Sequence, residues 1–505
     1  MYGVEAITIT IEVNVSMGQG YSIVGLPDNA VRESLHRTES AIKTNGYYMP
    51  RTKLVVNLAP ADIKKTGSAF DVTIAIGILA ATEQIDQIEL LSQYIIMGEL
   101  SLDGTIQPIK GILPISINAK KEGFKGIIVP KANAQEGLMV EGLEVYGATH
   151  LNDVIAFFSI TKEKTMFQEI KNIVIKNNFI KEDIDFSDVK GQENIKRAIE
   201  IAAAGGHNAI LIGPPGSGKT MLAKRIITIL PPLTIEEALE TTKIHSIAGK
   251  LPSYTSIVEA RPFRSPHHTI SDIALVGGGG FPQPGEISLA HHGVLFLDEL
   301  PEFKRTVLEV MRQPMEERKI VISRAKMSIE FPANFMLIAS MNPCPCGYFN
   351  HPEKECACVP GAVQKYLNKV SGPLLDRIDL HVEVTPVSFN QLNTKVKGET
   401  SQQVLERVIQ ARQIQLERFK DYQNTFTNAQ MSSKLLQSIC IISNASDQLL
   451  KRAMEKLNLS ARAFDRILKV SRTIADLSGS KNILDEHIAE AIHYRNLDRE
   501  TWGQK

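Results

Sequence analysis

Apolar and polar positions alternate along Ala6-Ile7-Thr8-Ile9-Thr10-Ile11-Glu12-Val13 and Lys53-Leu54-Val55-Val56-Asn57-Leu58, the period of two that predicts strands. Residues 29–43 change to helical spacing, and residues 69–81 are a small, apolar stretch that predicts a well-packed helix. Between residues 160 and 185 the apolar pattern gives way to Lys, Asn and Glu, which predicts a linker. Helical spacing resumes over residues 195–204 and stops at Gly205-Gly206-His207. Apolar runs at 209–212 and 294–297, and a third at 334–340, have the character of buried parallel strands. Residues 319–330 alternate on either side of Arg324-Ala325-Lys326, a β-hairpin with a basic tip. From residue 400 onward the pattern is helical without a strand signal, with Ser460 as the N-cap of one helix. These elements predict an α/β multidomain protein: an α+β domain at 1–165, a linker at 166–185, an α/β core at 186–385, a second linker at 386–399 and a helical lid at 400–505.

Composition changes this picture little. A chain of 505 residues is too long for one core, so two to four domains are expected. The 56 basic and 56 acidic residues cancel, and any surface for nucleic acid must be local. The N-terminal residues lack a basic and then apolar leader, and no run reaches the length of a membrane span, so a cytoplasmic location is expected. Five cysteines, four of them clustered, suit a reduced compartment and a metal or redox site better than disulfides.

Candidate chemistry centres on Gly213-Pro214-Pro215-Gly216-Ser217-Gly218-Lys219-Thr220, which fills the pattern G-x-x-x-x-G-K-[ST] between a strand and a helix. Glycines let backbone N–H groups converge on phosphates, and the helix N-terminus adds the positive end of its dipole. The pattern assigns Lys219 to the β- and γ-phosphates and Thr220 to Mg²⁺, so ATP and Mg²⁺ are the expected cofactors. The run 293–299 ends in Asp298 and Glu299, at the strand end where α/β sheets bind ligands. Asp298 is expected to assist Mg²⁺, and Glu299 to orient and deprotonate the attacking water. Cys344-x-Cys346, nine residues, then Cys356-x-Cys358 supplies four thiolates, enough to close a tetrahedral Zn²⁺ site; free buried thiols are the alternative. Cys440 is read as packing, and His267 and His268 stay open between metal ligation and packing or capping.

Two stretches resemble known families. Residues 65–75, KTGSAFDVTIA, look like the nucleophile segment of the Lon protease domain, and residues 104–112 with 119–130 resemble its lysine-bearing segment. Ungapped comparison puts Ala69 where Lon has its serine and Ile115 where it has its lysine, although a Ser–Lys dyad needs both. Ser68 is one residue away, about 100° of rotation on a helix. The resemblance therefore implies a Lon-like (ribosomal S5 domain 2-like) fold that is not a protease.

The glycine loop, the two acids, the strand ending at Met341-Asn342-Pro343 and residues 371–379 resemble AAA+ ATPases in kind and order. That likeness implies that Asn342 is sensor 1, that Arg377 is an arginine finger reaching a neighbouring subunit, and that Arg462 is sensor 2 of the lid, with Arg466 one turn on as its competitor. Residues 261–269 (RPFRSPHHT), the glycines 277–280, residues 284–291 and residues 342–347 resemble the magnesium-chelatase-like branch. With the Lon-like block, the chain from residue 1 to near 500 is similar to the YifB/ComM competence-protein family. The resemblance implies a bacterial homo-hexameric ATPase that drives branch migration of DNA in recombination, notably natural transformation. Its partners are then single-stranded or branched DNA and recombination proteins.

In that clade the hairpin before sensor 1 points into the pore, so Arg324 and Lys326 are implied phosphate contacts repeated around the ring; a solvated tip is the alternative. The glycines at 277–280 resemble a second, helix-borne insert. Two other activities fit the same machine: a protein-remodelling ATPase, and a metal-chelatase motor subunit, against which the N-terminal block is taken to stand.

Overall fold

The alternation near the N-terminus becomes a strand over Thr10–Ser16, later than the pattern begins, because its antiparallel partner Lys53–Ala59 reaches only to the pair Thr10–Ala59. This computed structural model describes residues 5–159, 184–251, 257–279, 282–324, 327–349, 351, 353–386, 398–422, 424–457 and 459–495. Both expected linkers lie largely outside the described residues. The chain divides into two units, Met1–Lys176 with Ala238–Val258, and Asn177–Glu237 with Glu259–Lys505. Residues Ala238–Val258 thus group with the first unit, although they fall within the span 186–385 read as one block.

In the first unit, Tyr21–Val24 pairs parallel to the other edge of Lys53–Ala59, whose Leu54, Val56 and Leu58 are fully buried. Helix Asn29–Thr44 is capped by Asp28, whose carboxylate accepts from the Val31 amide at 2.8 Å. The second expected helix starts at Asp71, because the Ala69 carbonyl instead accepts from the Gly98 amide at 2.9 Å. A further parallel sheet joins Tyr94–Ile96, Gly126–Pro130 and Glu144–Ala148. Glu136, buried beneath it, accepts from the Leu113 amide at 2.8 Å and from the Ser246 hydroxyl, which ties 238–258 to this unit. Burial raises the Glu136 pKa above the usual carboxylate value.

In the second unit, five strands form one parallel sheet in the order Phe263–Arg264, Val294–Leu297, Met336–Met341, Ala209–Ile212, Leu380–Glu383. The three central strands are buried at every position, as their unbroken apolar runs require. The Met336–Met341 strand lies between the glycine-loop strand and the strand ending in the two acids. All three therefore end side by side at the carboxyl edge. Helix Glu193–Gly205 packs Ile195, Ile199 and Ala202 into the core and ends at Gly206 in the left-handed conformation.

The lid is helical: Ser401–Phe419, Ser433–Ile439, Asn444–Leu457, Ala461–Leu477 and Asp485–His493. Ser460 caps the fourth of these through the Ala463 amide at 3.2 Å. The expected hairpin forms from Lys319–Arg324 and Met327–Pro332, in register from Lys319–Pro332 to Arg324–Met327. Gly277–Gly278 pairs with Gln283–Pro284 after a short helix, Asp272–Val276; Gly280 lies outside the described residues. Among the described residues no helix is long and apolar enough to cross a membrane.

Candidate nucleotide site

The loop 213–220 leaves the Ala209–Ile212 strand at Gly213, where a Cβ would stand 2.3 Å from the Val384 carbonyl oxygen, so no side chain fits. It closes at Gly218, in the left-handed conformation (φ 88°), which starts helix Lys219–Arg225. The Lys219 ammonium is buried among the loop's own acceptors. It donates to the carbonyls of Gly213 at 2.7 Å and Pro214 at 2.9 Å, and to Asn342 Oδ1 at 3.2 Å. Burial pulls its pKa below the ordinary lysine value, with Asp298 and Glu299 acting in the opposite sense. Ser217 Oγ donates to the Pro214 carbonyl at 2.8 Å, and Gln192 Nε2 braces the loop from outside through the Ser217 carbonyl at 3.0 Å.

Asp298 divides its oxygens. Oδ2 accepts from Thr220 Oγ1 at 2.8 Å, while Oδ1 accepts from Ser340 Oγ and from the Glu299 amide at 3.1 Å. A hydroxyl and a carboxylate are hard oxygen donors, a set that suits Mg²⁺ retaining several waters. Glu299 has φ 54° and ψ 50°, a left-handed backbone unusual for a residue with a side chain. Its exposed carboxylate lies 3.8 Å from His268 Nδ1. His268 packs against His267 with ring centroids 4.0 Å apart, and His267 Nδ1 meets Thr269 Oγ1 at 2.9 Å. Neither histidine belongs to a group of three metal-capable side chains among the described residues.

Lys219, Thr220, Asp298, Glu299 and Asn342 thus share one site. Arg377 does not: it precedes the Leu380–Glu383 strand, at the sheet's amino edge, where Nη2 pairs with Glu316 at 2.9 Å and Nη1 donates to the Pro373 carbonyl at 2.6 Å. Its buried Nε has no hydrogen-bond partner among the described residues. Arg466 is at that edge too, 3.0 Å from Asp379, while Arg462 is exposed in the first turn of the same helix. Arg324 closes the hairpin's register, and Lys326 lies outside the described residues.

Sequence reasoning missed Ser340, Gln192 and the approach of His268. Only Ser340 left a signal, as a hydroxyl near the end of an otherwise apolar strand.

The cysteines come together beside this site. Cys344, Cys346, Cys356 and Cys358 are free thiols whose sulfurs all lie within 4.8 Å of one another, with separations of 3.2, 3.5 and 3.7 Å among the first three. The Phe349 amide donates to Cys344 Sγ at 3.3 Å. Gly347, in the turn of the first pair, lies against the glycine loop: a Cβ there would come within 2.4 Å of Pro215 Cδ. Cys440 is buried in the lid core, as expected of a packing residue.

In the first unit, Ser68 Oγ donates to the Glu99 carboxylate at 2.5 Å, and Ile115 is buried among Ile112, Ile127 and Val145. The residue in register with Lon's lysine therefore packs as a hydrophobe.

Comparison with known proteins covers nearly the whole chain. The family described as magnesium chelatase, subunit ChlI, matches residues 185–392, its C-terminal part matches 398–495, and a profile described as subunit ChlI of Mg-chelatase matches 11–133. The N-terminal block therefore does not by itself speak against a chelatase relationship, contrary to the sequence reading. The competence protein ComM of Haemophilus influenzae is 44% identical over 499 residues, covering 98% of this chain and 96% of its own. The YifB protein of Escherichia coli shows the same identity and coverage. Lon protease 2 of Bacillus subtilis is 30% identical over 189 residues, covering 32% of this chain and 33% of its own. With its phosphate loop, paired acids and Asn342 at one sheet edge, and with this similarity from end to end, the chain belongs to the YifB/ComM family of magnesium-chelatase-like AAA+ proteins.

Proposed function

We propose that the protein is an ATP-driven DNA motor acting in recombination, a branch-migration translocase that works as a homo-hexameric ring. The observation that carries the ATPase part is the convergence of Lys219, Thr220, Asp298 and Asn342 within hydrogen-bond reach at the carboxyl edge of the sheet. Phosphate oxygens take the place of the loop carbonyls around Lys219, a cation whose pKa burial lowers and whose charge a bound phosphate would balance. Mg²⁺, held by Thr220 and Asp298, supplies charge neutralisation on the phosphates. Glu299 holds and deprotonates the attacking water, and Asn342 orients it or the terminal phosphate. Arg377, remote from its own chain's loop, serves a neighbour's site; its pairing with Glu316 must then open on assembly.

The DNA part rests on likeness to a competence protein along the full chain and on the hairpin whose register closes at Arg324. ATP hydrolysis stimulated by single-stranded or branched DNA, and migration of a synthetic Holliday junction, are the expected results. Both are lost in Lys219→Ala. Absence of DNA stimulation together with absence of salt-sensitive DNA binding would sink this reading. The partial likeness to Lon protease 2 favours a second reading, a protein-remodelling ATPase. A nucleotide-trapped Glu299→Gln ring that retains a protein client and no DNA decides for it.

The thiol cluster holds a structural Zn²⁺: four soft donors already gathered in one place are the set that ion takes in closed tetrahedral sites. Metal analysis of the purified protein should find one zinc per chain, lost in the double variant Cys356→Ser, Cys358→Ser. Protein prepared under reducing conditions without stoichiometric zinc rejects the assignment.

A further inference from the structure

At the amino edge of the five-stranded sheet, opposite the glycine loop, lies a cavity of about 100 Å³. Asn208, Met336 and Asp379, each at or just before the head of a strand, face lid residues Arg412 and Arg466 across it. Four guanidinium groups line the cavity, those of Arg261, Arg318, Arg412 and Arg466, against two carboxylates, Glu237 and Asp379. Two of the four are balanced. Arg261 pairs with Glu237 at 2.9 Å and donates to the His292 carbonyl at 2.7 Å, and Arg466 stands 3.0 Å from Asp379.

The other two are not balanced by acids. Among the described residues Arg412 donates only to the Ala203 carbonyl, at 2.8 and 3.2 Å. Arg318 makes no side-chain hydrogen bond and no ion pair among the described residues. Burial and the nearby Arg466 push the Arg318 pKa down to about 10; burial and Arg261 bring that of Arg412 to about 9. Both remain cations at neutral pH. Both side chains are half-buried, and cationic donors without an acidic partner beside a polar cavity point to an acceptor that would sit in it.

The backbone adds an independent sign. Arg318 ends helix Arg312–Glu317 with φ 57°, the left-handed position that glycine or asparagine ordinarily fills. A strained position that carries a long cation into a cavity is a feature of binding sites more than of packing.

We propose that this cavity is an anion site for one phosphate group, with Arg318 as its principal ligand and Arg412 as its second. Its size admits a tetrahedral oxyanion, and the two unbalanced cations match the charge of a phosphate dianion. The planar forks of two arginines give the bidentate geometry that phosphate oxygens take best. The phosphate has two available sources: free orthophosphate, or the terminal phosphate of a nucleotide held in the loop of a second copy of the chain.

Both sources are tested on the full chain. Radiolabelled orthophosphate is measured by equilibrium dialysis against Lys219→Ala, in which the glycine loop is disabled, and against that variant with Arg318→Gln or Arg318→Lys added. In parallel, assembly driven by a slowly hydrolysed ATP analogue is followed by sedimentation for Arg318→Gln in the otherwise native chain. Affinity for orthophosphate falling about tenfold or more in Arg318→Gln, and less in Arg318→Lys, establishes the site with the free ion as its ligand. Assembly that depends on Arg318 establishes it with the neighbour's nucleotide as source. If Arg318→Gln alters neither, the proposal is overturned. Arg318→Gln removes no hydrogen bond, so an unchanged melting temperature without phosphate is expected and separates loss of the ligand from loss of the fold.

Discussion

Ser340→Ala isolates the role of the hydroxyl that holds Asp298 Oδ1. Ser340 is fully buried in a strand, and alanine is its near-isostere there, so the sheet should survive the change. What is lost is specific. Ser340 Oγ donates to Asp298 Oδ1 and stands 3.4 Å from the Glu299 amide, while Asp298 Oδ2 is reserved for Thr220. A hydrogen bond to a charged acceptor contributes about 1.5–3 kcal/mol, and groups that orient a metal-binding carboxylate typically account for ~10–100-fold in metal affinity. The two estimates agree, since tenfold is about 1.4 kcal/mol.

The variant should therefore need ~10–100-fold more Mg²⁺ for half-maximal ATP hydrolysis, while binding of metal-free nucleotide stays near native. A steady-state ATPase titration over Mg²⁺ concentration, with a fluorescent nucleotide measured in chelator as control, reads both quantities. If the Mg²⁺ midpoint is unmoved while turnover falls, Ser340 acts instead by holding the left-handed turn at Glu299. If neither moves, Asp298 does not depend on Ser340, and the proposed oxygen site for Mg²⁺ is wrong.

Glu299→Gln should retain ATP and lower turnover by ~10²–10⁴-fold, the range for a positioned general base; near-native turnover would show that another group activates the water. Gly213→Ala places a methyl against the Val384 carbonyl oxygen and should cost about 1–3 kcal/mol, visible as a lower denaturant midpoint together with weaker ATP binding. Asp379 is buried, accepts from the Asn208 amide at 3.0 Å and forms an ion pair with Arg466 at 3.0 Å. Arg466 and His207 hold its pKa below the usual carboxylate range despite burial. Its contribution is therefore complete above the unfolded value of about 3.9 and is lost as pH falls toward the depressed folded one. Asp379→Asn should be destabilised at neutral pH by roughly 3–5 kcal/mol and should show a shallower loss of stability below about pH 4, both read from urea unfolding.

The parts of the site legible in the sequence are those fixed by local backbone geometry. A phosphate loop needs its glycines and lysine at set spacing because a single strand-to-helix turn makes the whole cradle, and Lys219 and Thr220 stand where that spacing puts them. The two acids were legible because an apolar run ends on them, and Asn342 because a second such run does. Contacts between strands distant in sequence were not legible. Ser340 reaches Asp298 only because the Met336–Met341 strand is inserted beside Val294–Leu297 in register, which no local pattern encodes.

The same limit applies to Arg377. Its place after sensor 1 suggested a finger, but only the sheet order reveals that it lies on the edge remote from its own loop, buried against Glu316. That placement ties the arginines together. An arginine at the amino edge cannot meet a phosphate bound at the carboxyl edge of the same sheet. Either Arg377 has no part in hydrolysis, or the phosphate it meets is brought by another copy of the chain. Arg318 and Arg466 stand at that edge as well, beside a cavity whose positive charge the chain leaves unbalanced. In the proposed ring the amino-edge cations of one chain would face the phosphate held at the carboxyl edge of the next, which is the arrangement Arg377 needs if it is to act in hydrolysis.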